Sequence, residues 1–417
     1  MPDTKYLIVG GSHAGLAALD AIRLVDPEGP ITLVTKEDHL PYSPTVLPYV
    51  FSGLADPERI FLRDAGFFQD KGVKFMPGLE VKELDAGAAK VVLGDGGELT
   101  YEKALFATGA RPLVPPIEGL SSAPFCVLRT LNDALALKKT VGGAGSAIVL
   151  GAGLVGMHAA ENLAQAGVKV TLVEMLSQVL PGYFDRKAGS IIKKVFAENG
   201  VKMLLGSPVT HVLANHNGCA LSLESGLDLS ADLLLVATGV RPNQEMLVGE
   251  DGGEVVVDDY MRTEHPNVWA AGDLVKARCF FRGKPVYSAT LPLAVEQGRI
   301  AGADMAGDQG VEPYQGSISV NTYSFFGNRA FSVGWSVPSG STKGLEVDFQ
   351  YSPSGQRYQK LVFKGDHLVG AMGVNCDLDP GVMWQLIRNK VDLGDMKKQF
   401  AAEPRNIGRL LMSKLWR

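Results

Sequence analysis

The chain is poor in the residues that carry thiol and metal chemistry. Its 417 residues include four cysteines, Cys126, Cys219, Cys279 and Cys376, no two of them close in sequence. There is no C-x-x-C redox pair and no iron–sulfur spacing, which argues against a thiol relay or a resident cluster. The four read as buried or incidental thiols, the usual state of free cysteine. The seven histidines show no H-E-x-x-H or comparable metal spacing, so no metal site is expected. No apolar run approaches the roughly 18–20 residues that span a bilayer. A first strand beginning near Tyr6 leaves no room for a secretory leader. The net charge of −5 is spread over well-mixed signs, with no basic stripe interleaved with aromatics. The expectation is a cytoplasmic protein with no nucleic-acid and no membrane partner. Its length allows two or three domains, and its 46% hydrophobic and 20% charged content is that of an ordinary globular chain.

What the chain has instead is a duplicated glycine device. Residues 7–37 read LIVGGSHAGLAALDAIRLVDPEGPITLVTKE, and residues 148–175 read IVLGAGLVGMHAAENLAQAGVKVTLVEM. Each is an apolar run, a glycine turn, an amphipathic stretch and a second apolar run. That order is the β-turn-α-β unit that seats a dinucleotide pyrophosphate on a helix N-terminus. One glycine pattern is weak evidence. Here two occur, each followed by Ala-Thr-Gly, at 107–109 and at 237–239. The duplication predicts an α/β protein with two Rossmann-like domains, suited to passing electrons between two dinucleotides.

The first turn carries Gly10, Ser12 and Gly15 in a G-x-S-x-x-G pattern. Ser12 stands where the usual second glycine lets backbone approach the pyrophosphate. Its hydroxyl suits a phosphate oxygen. The next strand ends Val34-Thr35-Lys36-Glu37, so Thr35 occupies the place of the expected ribose-binding carboxylate and Glu37 is the candidate substitute. The second turn is a full G-x-G-x-x-G of Gly151, Gly153 and Gly156, with Glu174 closing the following strand. A carboxylate there accepts the ribose hydroxyls and repels a 2′-phosphate. No Arg or Lys occurs between Glu174 and Arg186, which favours NAD(H) over NADP(H).

Between these units, Pro41, Pro44 and Pro48 rule out a long helix over 39–53. Val73 to Tyr101 reads as short strands with glycine turns. Arg111 to Pro116 is a stiff connector. Leu291 to Ala306 has helical period. From about Val311 the pattern alternates like strands, then closes in a helical tail. The expected division is 1–112 with 244–311, then 113–243, then an α+β C-terminal interface domain over 312–417.

One further motif fixes the resemblance. Thr263-x-x-Pro266-x-Val268-Trp269-Ala270-Ala271-Gly272-Asp273, with the two glycine units, resembles the two-dinucleotide flavoproteins of the pyridine nucleotide–disulfide oxidoreductase superfamily over roughly residues 5–310. The resemblance implies FAD on the first domain and NAD(H) on the second. It assigns Gly10, Ser12, Gly15, Glu37, Thr108 and Gly109 to FAD, and Asp273 to its ribityl chain. Leu291 would open the helix that faces the flavin pyrimidine edge, where a helix N-terminus favours the anionic reduced ring. Gln297 and Arg299 follow the family pattern. Gly151, Gly153, Gly156, Glu174 and Gly239 fall to NAD. Two positions depart from the family. In Thr45-Val46-Leu47-Pro48-Tyr49, Thr45 occupies the position of the redox cysteine, and threonine forms no thiolate or mixed disulfide. Thr45 and Pro44 are expected to pack near the isoalloxazine. His158 replaces a glutamate near the nicotinamide, with Glu161 one helical turn on as the candidate compensator. No residue reads as a proton-transfer catalyst.

Within the superfamily, residues 39–53 (HLPYSPTVLPYVFSG), 153–164 (GLVGMHAAENLA) and Leu180 to Asp185 resemble the flavoprotein epsilon subunits of NADH-dependent phenylglyoxylate dehydrogenases. That resemblance implies partner subunits bearing thiamine diphosphate and iron–sulfur clusters in a 2-oxoacid oxidoreductase complex. Those subunits would convert phenylglyoxylate to benzoyl-CoA, and this chain would collect the electrons on FAD and reduce NAD+. Two other readings stay open on the residues alone. One is a free-standing NADH-dependent reductase of a ferredoxin or rubredoxin. The other is a flavin-binding structural or interaction subunit with little turnover.

Overall fold

The computed structural model describes residues 2–215, 218–248, 252–337, 343–352 and 354–415. They form two compact α/β units, both discontinuous in sequence. The first comprises residues up to 44, then 58–111 and 240–317; the second comprises 45–57, 112–239 and 318 onward. Residues 45–57 lie with the second unit, where the sequence reading had counted them with the first. The prolines restrict this segment to a turn of 3-10 helix, Pro44–Val46, and a short helix, Leu47–Phe51. Leu47, Val50 and Phe51 are buried, and the short helix packs against the helices Leu131–Val141 and Leu154–Gln165.

In the first unit, Thr4–Val9 and Ile31–Thr35 are almost wholly buried apolar runs. Strands of that kind belong in the interior of a parallel sheet covered on both faces. The parallel order is Val73–Pro77, Ile31–Thr35, Thr4–Val9, Glu98–Phe106 and Val268–Ala270. Glu98–Phe106 also pairs antiparallel with Lys90–Leu93, which pairs with Val81–Asp85. Two helices of this unit, His13–Val25 and Leu291–Ala306, touch backbone to backbone. A Cβ on Gly298 would lie 2.1 Å from the Ala14 carbonyl oxygen, and one on Gly302 2.3 Å from that of Ala18. Small residues on both helices therefore set their separation.

The second unit holds a parallel sheet in the order Lys202–Leu205, Lys169–Glu174, Ser146–Leu150 and Leu233–Val236. An antiparallel meander of Val209–Asn215, Gly218–Leu223 and Asp228–Ala231 accompanies it. The C-terminal part is a five-stranded antiparallel sheet in the order Val320–Phe325, Asn328–Gly334, His367–Val374, Arg357–Lys364 and Leu345–Ser352. The helix Pro380–Arg388 packs on it. Asp185 ties the sheet to the rest of the unit. Its carboxylate caps the helix Arg186–Glu198 and accepts hydrogen bonds from Tyr358 Oη at 2.7 Å and Lys360 Nζ at 3.1 Å. Among the described residues, no helix is long and apolar enough to cross a membrane.

Candidate dinucleotide-binding sites

The first glycine turn carries the chain from Thr4–Val9 into His13–Val25 at the C-terminal end of the parallel sheet, where open α/β sheets bind ligands. Gly10 has φ +113°, and a Cβ there would lie 2.3 Å from the Ala107 carbonyl oxygen. A Cβ on Gly15 would lie 2.0 Å from the Gly10 carbonyl oxygen. Strand, turn and helix therefore close on one another. Ser12 is the N-cap residue, extended at φ −88°, ψ −163°; it is exposed and its side chain makes no capping hydrogen bond. The helix leaves its first N–H groups without intrahelical acceptors, so an exposed hydroxyl and a set of free donors meet at one helix end.

Other parts of the first unit converge on this end. Gly272 N–H donates to the buried Gln297 Oε1 at 2.8 Å, which fixes the turn that presents Asp273. Asp273 acts electrostatically on His13, the first residue of the helix. His13 lies 3.0 Å through Nε2 from Ser43 Oγ, and burial holds its pKa below the ordinary imidazole value against the opposing pull of Asp273. The sequence reading missed His13. Its only signal was a titratable residue inside the glycine turn. Thr108 Oγ1 donates to the Asn243 carbonyl at 3.1 Å, and Asn243 answers with its side-chain amide to the Thr108 carbonyl at 2.9 Å. Thr35 ends its strand half-buried. Glu37 accepts a hydrogen bond from Tyr42 Oη, a second partner the sequence did not suggest. Leu291 and Pro292 are exposed at the start of Leu291–Ala306, while Arg299 is exposed farther along that helix.

The second turn repeats the device in the second unit. Gly151 has φ +108°, and a Cβ there would lie 2.4 Å from the Ala237 carbonyl oxygen; one on Gly156 would lie 2.0 Å from the Gly151 carbonyl oxygen. Gly153 caps the helix Leu154–Gln165 with φ −75°, and among the described residues nothing beyond its own helix and chain neighbours lies within 4 Å of a Cβ placed on it. The chain itself makes no steric demand for glycine at 153. Glu174 is buried, and its carboxylate accepts the N–H groups of Ala152 at 2.7 Å and Leu176 at 2.8 Å. Leu176, whose N–H Glu174 accepts, lines a cavity of about 420 Å³ with Gln178, Pro181, Phe184, Arg186 and Val337 among others. Gly239 accepts from Leu113 N–H at 2.9 Å, and Thr238 Oγ1 donates to the Leu113 carbonyl at 2.6 Å. Each Ala-Thr-Gly threonine thus fastens a nearby crossing segment of its own unit.

His158 and its neighbours form a separate group on the Leu154–Gln165 helix. The His158 ring meets Tyr323 edge-on at 4.7 Å between centroids and Tyr49 at 6.4 Å. Among the described residues, neither His158 Nδ1 nor Tyr323 Oη has a hydrogen-bond partner. Burial pushes the His158 imidazole down to about 4, so the ring is neutral at ordinary pH. The Glu161 carboxylate accepts the Phe326 N–H at 2.6 Å, and burial raises its pKa against that hydrogen bond. Thr45 is exposed ahead of Leu47–Phe51, and Pro44 is half-buried.

Two glycine-turn helices, each closed onto its own parallel sheet with an open N-terminal end, define a protein built for two dinucleotides. The chain belongs to the pyridine nucleotide-disulphide oxidoreductase family, whose model matches residues 4–310. It is an NAD(H)-linked flavoprotein oxidoreductase with FAD and NAD(H) as cofactors. It is 50% identical over 419 residues to the NADH-dependent phenylglyoxylate dehydrogenase subunit epsilon of Aromatoleum evansii, covering 99% of this chain and 98% of that one. An NADH oxidase of Methanocaldococcus jannaschii is 32% identical over 315 residues, covering 73% of this chain and 70% of the relative. In fold, the chain matches the water-forming NADH oxidase from Lactobacillus brevis bound to NADH with a TM-score of 0.85 at 24% identity, over 94% of this chain and 92% of the other.

Proposed function

We propose that this chain is the NAD-reducing flavoprotein subunit of a 2-oxoacid dehydrogenase complex that oxidises phenylglyoxylate to benzoyl-CoA. Its electrons come from iron–sulfur clusters on partner subunits, which also carry thiamine diphosphate. The observation that carries this reading is the 50% identity, over nearly the whole of both chains, to a phenylglyoxylate dehydrogenase epsilon subunit. Thr45 supports it: without a thiol at that position the chain has no dithiol relay of its own and calls for another electron donor.

We assign FAD to the first unit, with Gly10, Ser12, Gly15, Glu37, Thr108, Gly109, Asp273 and Leu291. We assign NAD(H) to the second, with Gly151, Gly153, Gly156, Glu174 and Gly239, and divide that unit into a dinucleotide part within 112–239 and a C-terminal part from 318 onward. The exposed Ser12 hydroxyl and the open space at Gly153 fit a pyrophosphate at each helix N-terminus. The cavity that begins at Leu176, two residues past Glu174, suits the adenosine end of NAD(H). FAD bound on the first unit would supply the conversion between single electrons and a hydride. The chain's own residues bind and orient: the helix ends hold phosphates, Glu174 receives ribose hydroxyls, and Asp273 holds the ribityl chain. Neutral His158 places no charge beside the nicotinamide.

Anaerobic isolation of the chain from its own cells tests the reading. Iron, thiamine diphosphate and FAD co-purifying in one large assembly with phenylglyoxylate-dependent NAD+ reduction are expected. A bare FAD protein that reduces a free ferredoxin or rubredoxin with NADH would replace this reading with a free-standing reductase.

A further inference from the structure

We propose that Thr290 is a ligand of bound FAD, its hydroxyl donating a hydrogen bond to the C2 carbonyl oxygen of the isoalloxazine ring and raising the flavin's reduction potential. The inference rests on the assignment of FAD to the first unit. Thr290 is the N-cap residue of Leu291–Ala306, extended at φ −134°, ψ 147°, yet its side chain makes no capping hydrogen bond. An N-cap hydroxyl ordinarily accepts from the N–H of the second or third helical residue. Here the second is Pro292, which has no N–H to give. Thr290 Oγ1 is buried, and among the described residues it has no hydrogen-bond partner. A buried polar atom without a partner is rare and costly, so this hydroxyl calls for a bonding group from outside the chain.

Helix packing in the first unit places this hydroxyl ahead of the glycine turn. Gly298 meets Ala14 and Gly302 meets Ala18, so the contact advances four residues along both helices and the two run parallel. Followed back in steps of four, the same stripe of Leu291–Ala306 passes through Ala294 to Thr290. Thr290 lies two helical turns, about 12 Å, before Gly298, whereas Ser12 lies only about 3 Å before Ala14. The second helix therefore overhangs the end of the first by roughly 9 Å. The turn at Gly272 fills the angle between them: a Cβ there would lie 3.4 Å from that of Ala14 and 3.8 Å from that of Ala294. The helix end assigned to the pyrophosphate and the turn that presents Asp273 thus stand side by side, and Thr290 stands farther out along the same stripe.

A cofactor with its pyrophosphate at the Ser12 end and its ribityl chain at Asp273 carries its ring outward, toward Thr290. The C2 carbonyl lies on the same side of the isoalloxazine as N10, the atom that bears the ribityl chain, and the C4 carbonyl lies on the opposite, N5 side. C2 is therefore the carbonyl nearer Asp273 and the helix end. Thr290 as a whole is partly exposed, and one step between staggered χ1 wells exchanges its covered hydroxyl for the methyl group. The hydroxyl then joins the N–H groups that the first turn of the helix leaves without intrahelical acceptors. Two-electron reduction places negative charge on N1 and the C2 oxygen, and hydrogen bonds to a charged acceptor are the stronger ones. The hydroxyl and the helix end together favour reduced flavin over oxidised.

The test is potentiometric titration of the full flavin-loaded chain, beside reloading of the flavin-stripped chain with FAD or with 2-thio-FAD, whose sulfur at C2 is a weak acceptor. Thr290→Val keeps the side-chain shape and removes the hydroxyl. Its preference for reduced over oxidised flavin should fall about tenfold, which lowers the two-electron potential by about 30 mV. Thr290→Ser should restore most of that loss. Wild type should bind FAD more tightly than 2-thio-FAD, and Thr290→Val should narrow the difference. Thr290→Ala is the second variant should the valine chain fold poorly. An unchanged potential in the variants, a serine variant that falls as far as valine, or a wild type indifferent to sulfur at C2 would overturn the proposal. Asp273→Ala tells the two assignments apart. Flavin loss there beside an unaltered Thr290→Val removes Thr290 alone, whereas full flavination of Asp273→Ala would unseat the FAD site and this proposal with it.

Discussion

The N–H of Ala152 donates to Glu174 Oε2 across the second glycine turn at 2.7 Å, so the carboxylate proposed for the ribose also braces the loop that seats the pyrophosphate. Leu176 N–H holds the other oxygen at 2.8 Å. An ionised carboxylate offers about four acceptor positions, so capacity remains for ribose hydroxyls. Glu174→Ala should therefore do two things. It should lower stability by about 1–3 kcal/mol through buried N–H groups left without acceptors, and it should raise the KM for NADH. Glu174→Arg should weaken NADH and shift the kcat/KM ratio toward NADPH. Thermal melts beside steady-state kinetics separate the two effects; an unchanged cofactor preference would remove Glu174 from the ribose.

Much of this was legible in the sequence because glycine turns act locally. Gly15 and Gly156 are forced by the carbonyls of Gly10 and Gly151 within the same turn, and Gly10 and Gly151 by the carbonyls of Ala107 and Ala237, which open the Ala-Thr-Gly motifs that the sequence also shows. The pairing of Thr108 with Asn243 and the neighbourhood of His158 with Tyr323 were not legible. Those partners are separated by more than a hundred residues, and a strand residue such as Tyr323 reads only as core. The tie that holds Glu161 was hidden for the same reason. The helical spacing of Glu161 to His158 is visible, but its acceptor role toward Phe326 belongs to the distant C-terminal sheet.

Gly298 should be intolerant of any side chain. Its Cβ would overlap the Ala14 carbonyl oxygen at 2.1 Å, and that backbone belongs to the helix carrying Ser12 at its N-cap. Gly298→Val must part the helices and move Gln297 from Gly272. Overpacking of this kind costs about 1–3 kcal/mol or more. The purified variant should lose FAD on gel filtration, read by the ratio of flavin to protein absorbance.

Gly153 should behave in the opposite way. Its φ of −75° suits any residue, and its surroundings are open. Gly153→Ala gains about 0.4–1 kcal/mol through the unfolded chain and loses the glycine preference of the helix N-cap, so stability should change by less than about 1 kcal/mol. The added methyl would stand in the way of a pyrophosphate, so the KM for NADH should rise. Unchanged NADH affinity would disconnect this turn from the nucleotide.

Turnover should be indifferent to thiol reagents. Burial raises the pKa of Cys126 and Cys376 and pushes Cys219 up to about 11, so these sulfurs are thiols near neutral pH. Thiols are poor nucleophiles beside thiolates. Alkylation of the NADH-reduced protein should leave dye reduction within about twofold, since no thiolate carries electrons. Loss of activity that tracks modification of one cysteine would reopen a thiol relay.

His158 should make the fold acid-sensitive. Its imidazole titrates near 4 in the folded chain because burial disfavours the cation, against about 6.5 when unfolded. Above pH 6.5 both states hold a neutral ring and nothing changes. Below it the unfolded chain binds a proton that the folded chain refuses, so stability falls as pH drops toward 4. The slope approaches 1.4 kcal/mol per unit, or about 2 kcal/mol between pH 7.5 and 5. Glu161, raised by burial, works in the opposite sense, so the wild-type curve alone is a mixture. His158→Phe keeps a ring against Tyr323 and removes only the titration. Urea unfolding at pH 7.5 and pH 5 should show a smaller acid loss in His158→Phe than in wild type; parallel losses would mean that His158 is protonated in the folded protein.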